Sequence, residues 1–89
     1  APYGILICYT GIGMSMAANK FKGVRAALVT NSEAAKLTRE HNDANILCLG
    51  AKDTTAHNAV NYTKIFLNTE FSHGERHERR VAKVNDLDR

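Results

Sequence analysis

Cysteine is scarce in this chain, and the patterns that usually employ it are missing. Cys8 and Cys48 are the two present in 89 residues, each inside a short apolar run, with no C-x-x-C pair and no Cys/His grouping at zinc spacing. That argues against a structural disulfide and against a structural zinc. His73 and His77 stand four apart, but Gly74 lies between them and no third ligand is near in sequence, so no metal site is expected there either. Long hydrophobic runs are also lacking: nothing approaches the roughly 18 apolar residues of a membrane helix. The opening "APYGILIC" carries neither the basic flank nor the cleavage site of a signal peptide, so the expectation is a cytoplasmic protein without membrane contact. No internal repeat, low-complexity tract or linker divides the sequence, which leaves room for one domain.

What is present is the balance of an ordinary folded domain, with 44% hydrophobic and 24% charged residues. The net charge of +3 is modest, but Arg76, Arg79, Arg80, Lys83 and Arg89 crowd the last stretch. Without interleaved aromatics this basic segment is a poor match for a nucleic-acid surface.

Three short runs, Tyr3 to Cys8, Val24 to Thr30 and Asn45 to Leu49, are apolar on both faces and too short for helices, so they read as buried parallel strands. Met14 to Phe21 and Ser32 to Asn42 read as helices between them, the second with Ser32 as N-cap. Thr54 to Phe71 reads as a longer helix with an apolar stripe of Ala56, Ala59, Val60, Thr63, Phe66 and Leu67, and a basic helix follows from about Arg76 to Leu87. Alternating strands and helices predict an α/β, Rossmann-like three-layer parallel sheet. The first strand, "ILIC", is apolar enough for the interior of a sheet. Three strands offer one interior place, so the expected fold is partial, with further strands before residue 1 or another chain over that edge.

Chemistry is expected at the carboxyl ends of the strands. Thr10, Gly11 and Gly13 form a T-G-x-G turn there, which suits an anion held by backbone N–H groups but equally suits a plain βα turn. Cys8 ends the first strand facing the start of a helix, where positive potential favours a thiolate that can act as base or nucleophile. A small buried hydrophobe fits the same position, and that is the reading for Cys48. His41 and Asn42 end a helix, where an imidazole tends to hold its proton and can serve as an acid, or simply caps the helix in solvent. Arg76 and Arg80, one helical turn apart, can grip a phosphate or form a basic surface.

Together, "GILICYTGIGMSMAANKFKGVRAALV", "AAKLTREHNDANILCLGAK" and "FSHGERHERRV" resemble the ribose-5-phosphate isomerase B and galactose-6-phosphate isomerase family over nearly the whole chain. The resemblance implies an aldose–ketose sugar-phosphate isomerase working through a cis-enediolate, without metal or organic cofactor. By position it makes Cys8 the base and Tyr9, Thr10, Gly11, Ile12 and Gly13 the oxyanion and substrate cradle. His41 becomes the ring-opening residue, Asn42 a substrate contact, Arg76 and Arg80 the phosphate arginines, and Lys52 stands where the family usually has a further arginine. It also implies a homodimer or higher homo-oligomer in which His41 serves the neighbouring subunit's Cys8. Met14 occupies the place of the glutamate that some members use instead, so the cysteine route is the one this sequence supports. "REHNDAN" favours the ribose 5-phosphate type.

Three departures accompany the resemblance. Tyr9 replaces the usual glycine and is expected to crowd the sugar or alter the turn. Lys52 lacks the planar fork of arginine. The family's N-terminal portion has no counterpart, so residues 1–89 are expected to be the C-terminal part of a longer chain, in which the family's 2-1-3-4-5 strand order sets the strand at Ile5 beside an absent one. A non-catalytic sugar-phosphate-binding or dimerisation module is the alternative, favoured by Tyr9.

Overall fold

Short apolar runs become three parallel strands, β1 (Gly4–Cys8), β2 (Ala26–Leu28) and β3 (Ile46–Gly50), in a computed structural model that describes residues 2–88. Arg89 lies outside the described residues. The helices are α1 (Ile12–Ala18), α2 (Ser32–Glu40), α3 (Ala56–Asn68) and α4 (Glu75–Asn85). The α/β, Rossmann-like reading holds, with helices on both faces of the sheet.

The strand order is β1-β3-β2, with Cys8 paired to Gly50 and Leu28 to Cys48. This corrects the 2-1-3-4-5 expectation, under which β2 would have stood in the middle. The physical reason lies in burial: Leu47, Cys48 and Leu49 are all at 1% exposure or less, so β3 is the strand whose two faces are both covered. β2 is three residues long and contributes alanines. β1 takes the other edge, and Ile7 is left 59% exposed there.

Odd positions of β3 face α2 and α3. Leu47 and Leu49 pack with Val29, Ala35, Ala44, Tyr62 and Phe66 into the core. Phe66 is fully buried, worth about 2–3 kcal/mol of transfer free energy. The buried face of α3 is Tyr62 and Phe66, while Val60 and Leu67 of the expected stripe are exposed. Tyr62 buries its ring because its hydroxyl can donate to the Thr30 carbonyl at 3.2 Å, which removes the polar cost. By alternation Cys48 faces the opposite side with Leu28, where α1 crosses all three strands.

Caps fix the ends. The α2 N-cap is Asn31, whose side chain accepts from the Ala34 N–H at 2.7 Å, not Ser32, which is already helical. Thr55 caps α3 in the same way, accepting from Asn58 at 3.1 Å. The last helix begins after Gly74, and His73 takes a left-handed φ of 59° at the break.

Candidate active site

The first group of functional residues gathers at the carboxyl end of the sheet. β1 stops at Cys8 because the chain must turn back over the β3 end. The Cys8 carbonyl accepts from the Ala51 N–H and the Tyr9 carbonyl from the Lys52 N–H, both at 2.8 Å. Gly11 then caps α1 at φ 79°, with a Cβ there meeting the Leu49 carbonyl carbon at 3.0 Å. Gly50 is equally constrained, since its Cβ would overlap the Thr10 carbonyl. Gly13 differs: open space surrounds it and its φ is ordinary, so its value is access to the backbone rather than turn geometry.

This turn wraps N–H groups around the sulfur. The Gly11 N–H donates to Cys8 Sγ at 3.1 Å. The thiol is held below its usual pKa, chiefly by the Met14 N–H, with desolvation acting the other way and the Gly11, Thr10 and Gly13 N–H groups adding to the lowering. Cys48 goes the opposite way, pushed up by burial and by the nearby Cys8 charge. Thr10 Oγ1 accepts from the Ile12 N–H at 3.3 Å, and Ile12, about half exposed, opens α1. Tyr9 is 69% exposed, and the non-glycine residues with positive φ are Asp43 and His73, so the turn accepts a side chain at Tyr9 without backbone strain. Lys52 stands exposed beside it and pairs with no carboxylate among the described residues.

The second group lies at the amino end. α2 runs back from the carboxyl end of β2, and His41 is its C-cap, its N–H donating to the Leu37 carbonyl at 2.8 Å. Asn42 follows and, with Arg80 of α4, lines a cavity of about 410 Å³ that also touches Arg25, Thr38 and Val81. Arg76 and Arg80 are exposed on α4 and make no ion pair among the described residues. The His77 ring lies on His41, with centroids 4.3 Å apart and planes 9° from parallel. His73 Nδ1 meets Glu78 Oε1 at 2.8 Å.

Two arginines that sequence reasoning passed over hold this end together. Arg39, 3% exposed, donates to the Thr69 and Ala44 carbonyls at 3.0 and 2.7 Å and pairs with Asp43 at 2.9 Å. Arg25 reaches the Asp43 carbonyl at 2.8 Å and Asn85 of α4 at 3.0 Å. Both shape the 41–45 turn and neither is free to bind. A charged residue in a polar-looking helix gave no signal of burial.

Within one chain the two groups stay apart. Cys8 is in register with Gly50, whereas His41 precedes the start of β3, so the rise of β3, about 13 Å, separates them. Proton transfer needs reacting atoms within about 3.5 Å. Within one chain the two groups of candidate residues therefore lie at opposite ends of β3.

A family model described as Ribose/Galactose Isomerase matches residues 1–84. A Bacillus subtilis relative, provisionally named a sugar phosphate isomerase, is 52% identical over 96% of this chain and 56% of its own length. Among solved structures, the type B ribose 5-phosphate isomerase from Trypanosoma cruzi superimposes with a TM-score of 0.95 at 46% identity, covering 98% of this chain and 58% of that one. The ribose-5-phosphate isomerase B of Mycoplasma genitalium, solved with bound ribulose-5-phosphate, gives 0.91 and 46%, covering 94% and 55%. The chain therefore spans little more than half the length of these relatives.

Proposed function

The chain belongs to the Ribose/Galactose Isomerase family, and from that premise we propose that it supplies the catalytic half-sites of a ribose 5-phosphate isomerase. The observation that carries this reading is the Cys8 thiol, ringed by backbone N–H groups at the carboxyl end of β1 and lowered in pKa by them. A ribulose-5-phosphate complex of a relative over nearly all of this chain supports the substrate class.

In the proposed reaction the Cys8 thiolate removes the proton from C2 of the open-chain aldose. The electron pair moves into a C1–C2 double bond as the C1 carbonyl oxygen becomes an enediolate oxygen; the C2 hydroxyl proton then passes to that C1 oxygen, and the proton held by Cys8 returns to C1 as the C2 oxygen becomes the carbonyl. The cradle formed by Tyr9, Thr10, Gly11, Ile12 and Gly13 offers fixed dipoles to the developing oxyanion, which need no reorganisation. His41 assists ring opening, Asn42 contacts the sugar, and Arg76 and Arg80 take the phosphate, with Lys52 as a further charge. Because one strand length divides Cys8 from His41, the working site joins the carboxyl end of one chain to the amino end of another. A homodimer with two such sites is the smallest assembly that satisfies this.

We propose further that residues 1–89 act as part of a longer isomerase chain, since they span just over half of each relative. The free β1 edge with Ile7 in solvent agrees. The intact mass of the native protein tests it, and a native mass of 9.8 kDa would overturn it. The rival reading, a binding module without turnover, rests on Tyr9. Its ordinary backbone weakens that case.

The test is turnover of ribose 5-phosphate by the native protein and by Cys8→Ser. Loss of about a hundredfold or more supports the assignment. Full activity in the variant would remove Cys8 from the mechanism. Retained sugar-phosphate binding with no turnover in the wild type would favour the module.

A further inference from the structure

We propose that His77 is a positioning residue for this chemistry: its ring, laid flat on His41, fixes the plane of that imidazole and holds Arg76 and Arg80 in register with it. The inference rests on the isomerase reading above. His41 ends a helix and is half-buried, and among the described residues no hydrogen bond holds its ring, so without a packing partner the imidazole would sample several rotamers. The parallel contact at 4.3 Å and 9° removes that freedom by covering one face of the ring.

The rest of the local structure delivers His77 to this place. Ser72 donates twice to the Glu40 carbonyl, through its N–H at 3.2 Å and its hydroxyl at 2.8 Å, strapping the start of α4 to the end of α2. Gly74, the α4 N-cap, has an ordinary φ of −61°, and what its missing side chain provides is room, since a Cβ would stand 3.3 Å from His77 Cδ2. His73, the neighbouring imidazole, is instead taken up by Glu78.

Charge favours the same role. His77 is faced by His41 from α2 and by Arg76 and Arg80 from its own helix. Desolvation first, and then the electrostatic influence of these three neighbours, holds its pKa below the usual imidazole value. It therefore stays neutral near pH 7 and packs as a flat surface, adding no repulsion beside the two arginines. Arg76 and Arg80 flank it at one residue before and three after, so seating His77 also seats them.

The experiment uses the native full chain and two variants, His77→Phe, which keeps a flat ring, and His77→Ala, which removes it. The His41 ring-proton resonance reads the stack: a ring-current displacement present in wild type and His77→Phe, and lost in His77→Ala, is expected. Turnover reads the role: kcat on ribose 5-phosphate falls about tenfold to a hundredfold in His77→Ala and stays within roughly threefold in His77→Phe. Unchanged kcat in His77→Ala overturns the proposal. An equal loss in both variants also overturns it, because the imidazole would then act through its own proton. If the wild type lacks turnover, the isomerase reading fails, while absence of the ring-current displacement in the wild type separately overturns the positioning.

Discussion

The two ends of the sheet hold their chemistry by different means. At the carboxyl end, Cys8 sits among N–H groups of the backbone, and the constraints fall on Gly11 and Gly50, where a Cβ has no room. At the amino end, His41 and Asn42 close α2 while Arg76 and Arg80 project from α4, and the buried Arg39 together with Arg25 ties down the turn that follows His41. A backbone site is rigid by construction and indifferent to many side chains, which is why Tyr9 can stand in it. A side-chain site needs supporting contacts from outside itself, and loses its geometry when they go.

The division can be broken most severely by complementation. Cys8→Ser and His41→Asn each alter one end, and each alone is expected to lower turnover, Cys8→Ser by about a hundredfold to ten-thousandfold. In a mixture of the two variants, a dimer holding one of each contains one site with both native residues. Co-folding them should restore about a quarter of the wild-type rate if subunits pair at random. No recovery would mean that each chain uses its own Cys8 and His41, contrary to the separation along β3.

Next in size is the support of the amino end. Arg39→Met removes a buried cation from two carbonyls and from Asp43, an expected loss of about 3 kcal/mol in unfolding free energy. In protein kept folded at low temperature, sugar-phosphate affinity should fall while Cys8 alkylation is unchanged. Equal damage to both would mean that the ends are not independent.

The carboxyl end should show its own asymmetry among glycines. Gly50→Ala forces a Cβ into the Thr10 carbonyl and is expected to cost about 1–3 kcal/mol by denaturant melts. Gly13→Ala meets nothing and should change stability by less than about 0.5 kcal/mol. If Gly13→Ala still abolishes turnover, access to the turn is its function, as its open surroundings suggest.

Much of this contrast was legible from residue order. A strand that ends at Cys8 and a helix that ends at His41 just before the next strand must lie at opposite ends of a parallel sheet, because each crossover helix runs back against the strands. The three apolar runs and four helices were recognisable to within a few residues. Strand order was not, since β2 and β3 are both apolar and their pairing depends on which buries two faces. Tyr62 was missed in the core because its hydroxyl partner, the Thr30 carbonyl, is distant in sequence. Arg39 and the His41–His77 stack were hidden for the same reason: both are contacts between segments some thirty residues apart.

The smallest expected effect separates the two cysteines. Cys8 is lowered by backbone N–H groups and remains accessible, whereas Cys48 is fully buried and raised. In native protein, alkylation by iodoacetamide should label Cys8 first, with its half-maximal rate at a lower pH than in the unfolded chain. The sign follows from the lowered pKa. Between the folded and unfolded values Cys8 is mostly thiolate only when folded, so the difference between folded and unfolded labelling rates is expected to peak there. Above the unfolded value both states are ionised and the advantage disappears. Equal pH profiles in the two states would show that the N–H cradle does not stabilise the thiolate, and the carboxyl end would then lose the feature on which its proposed role in proton transfer rests.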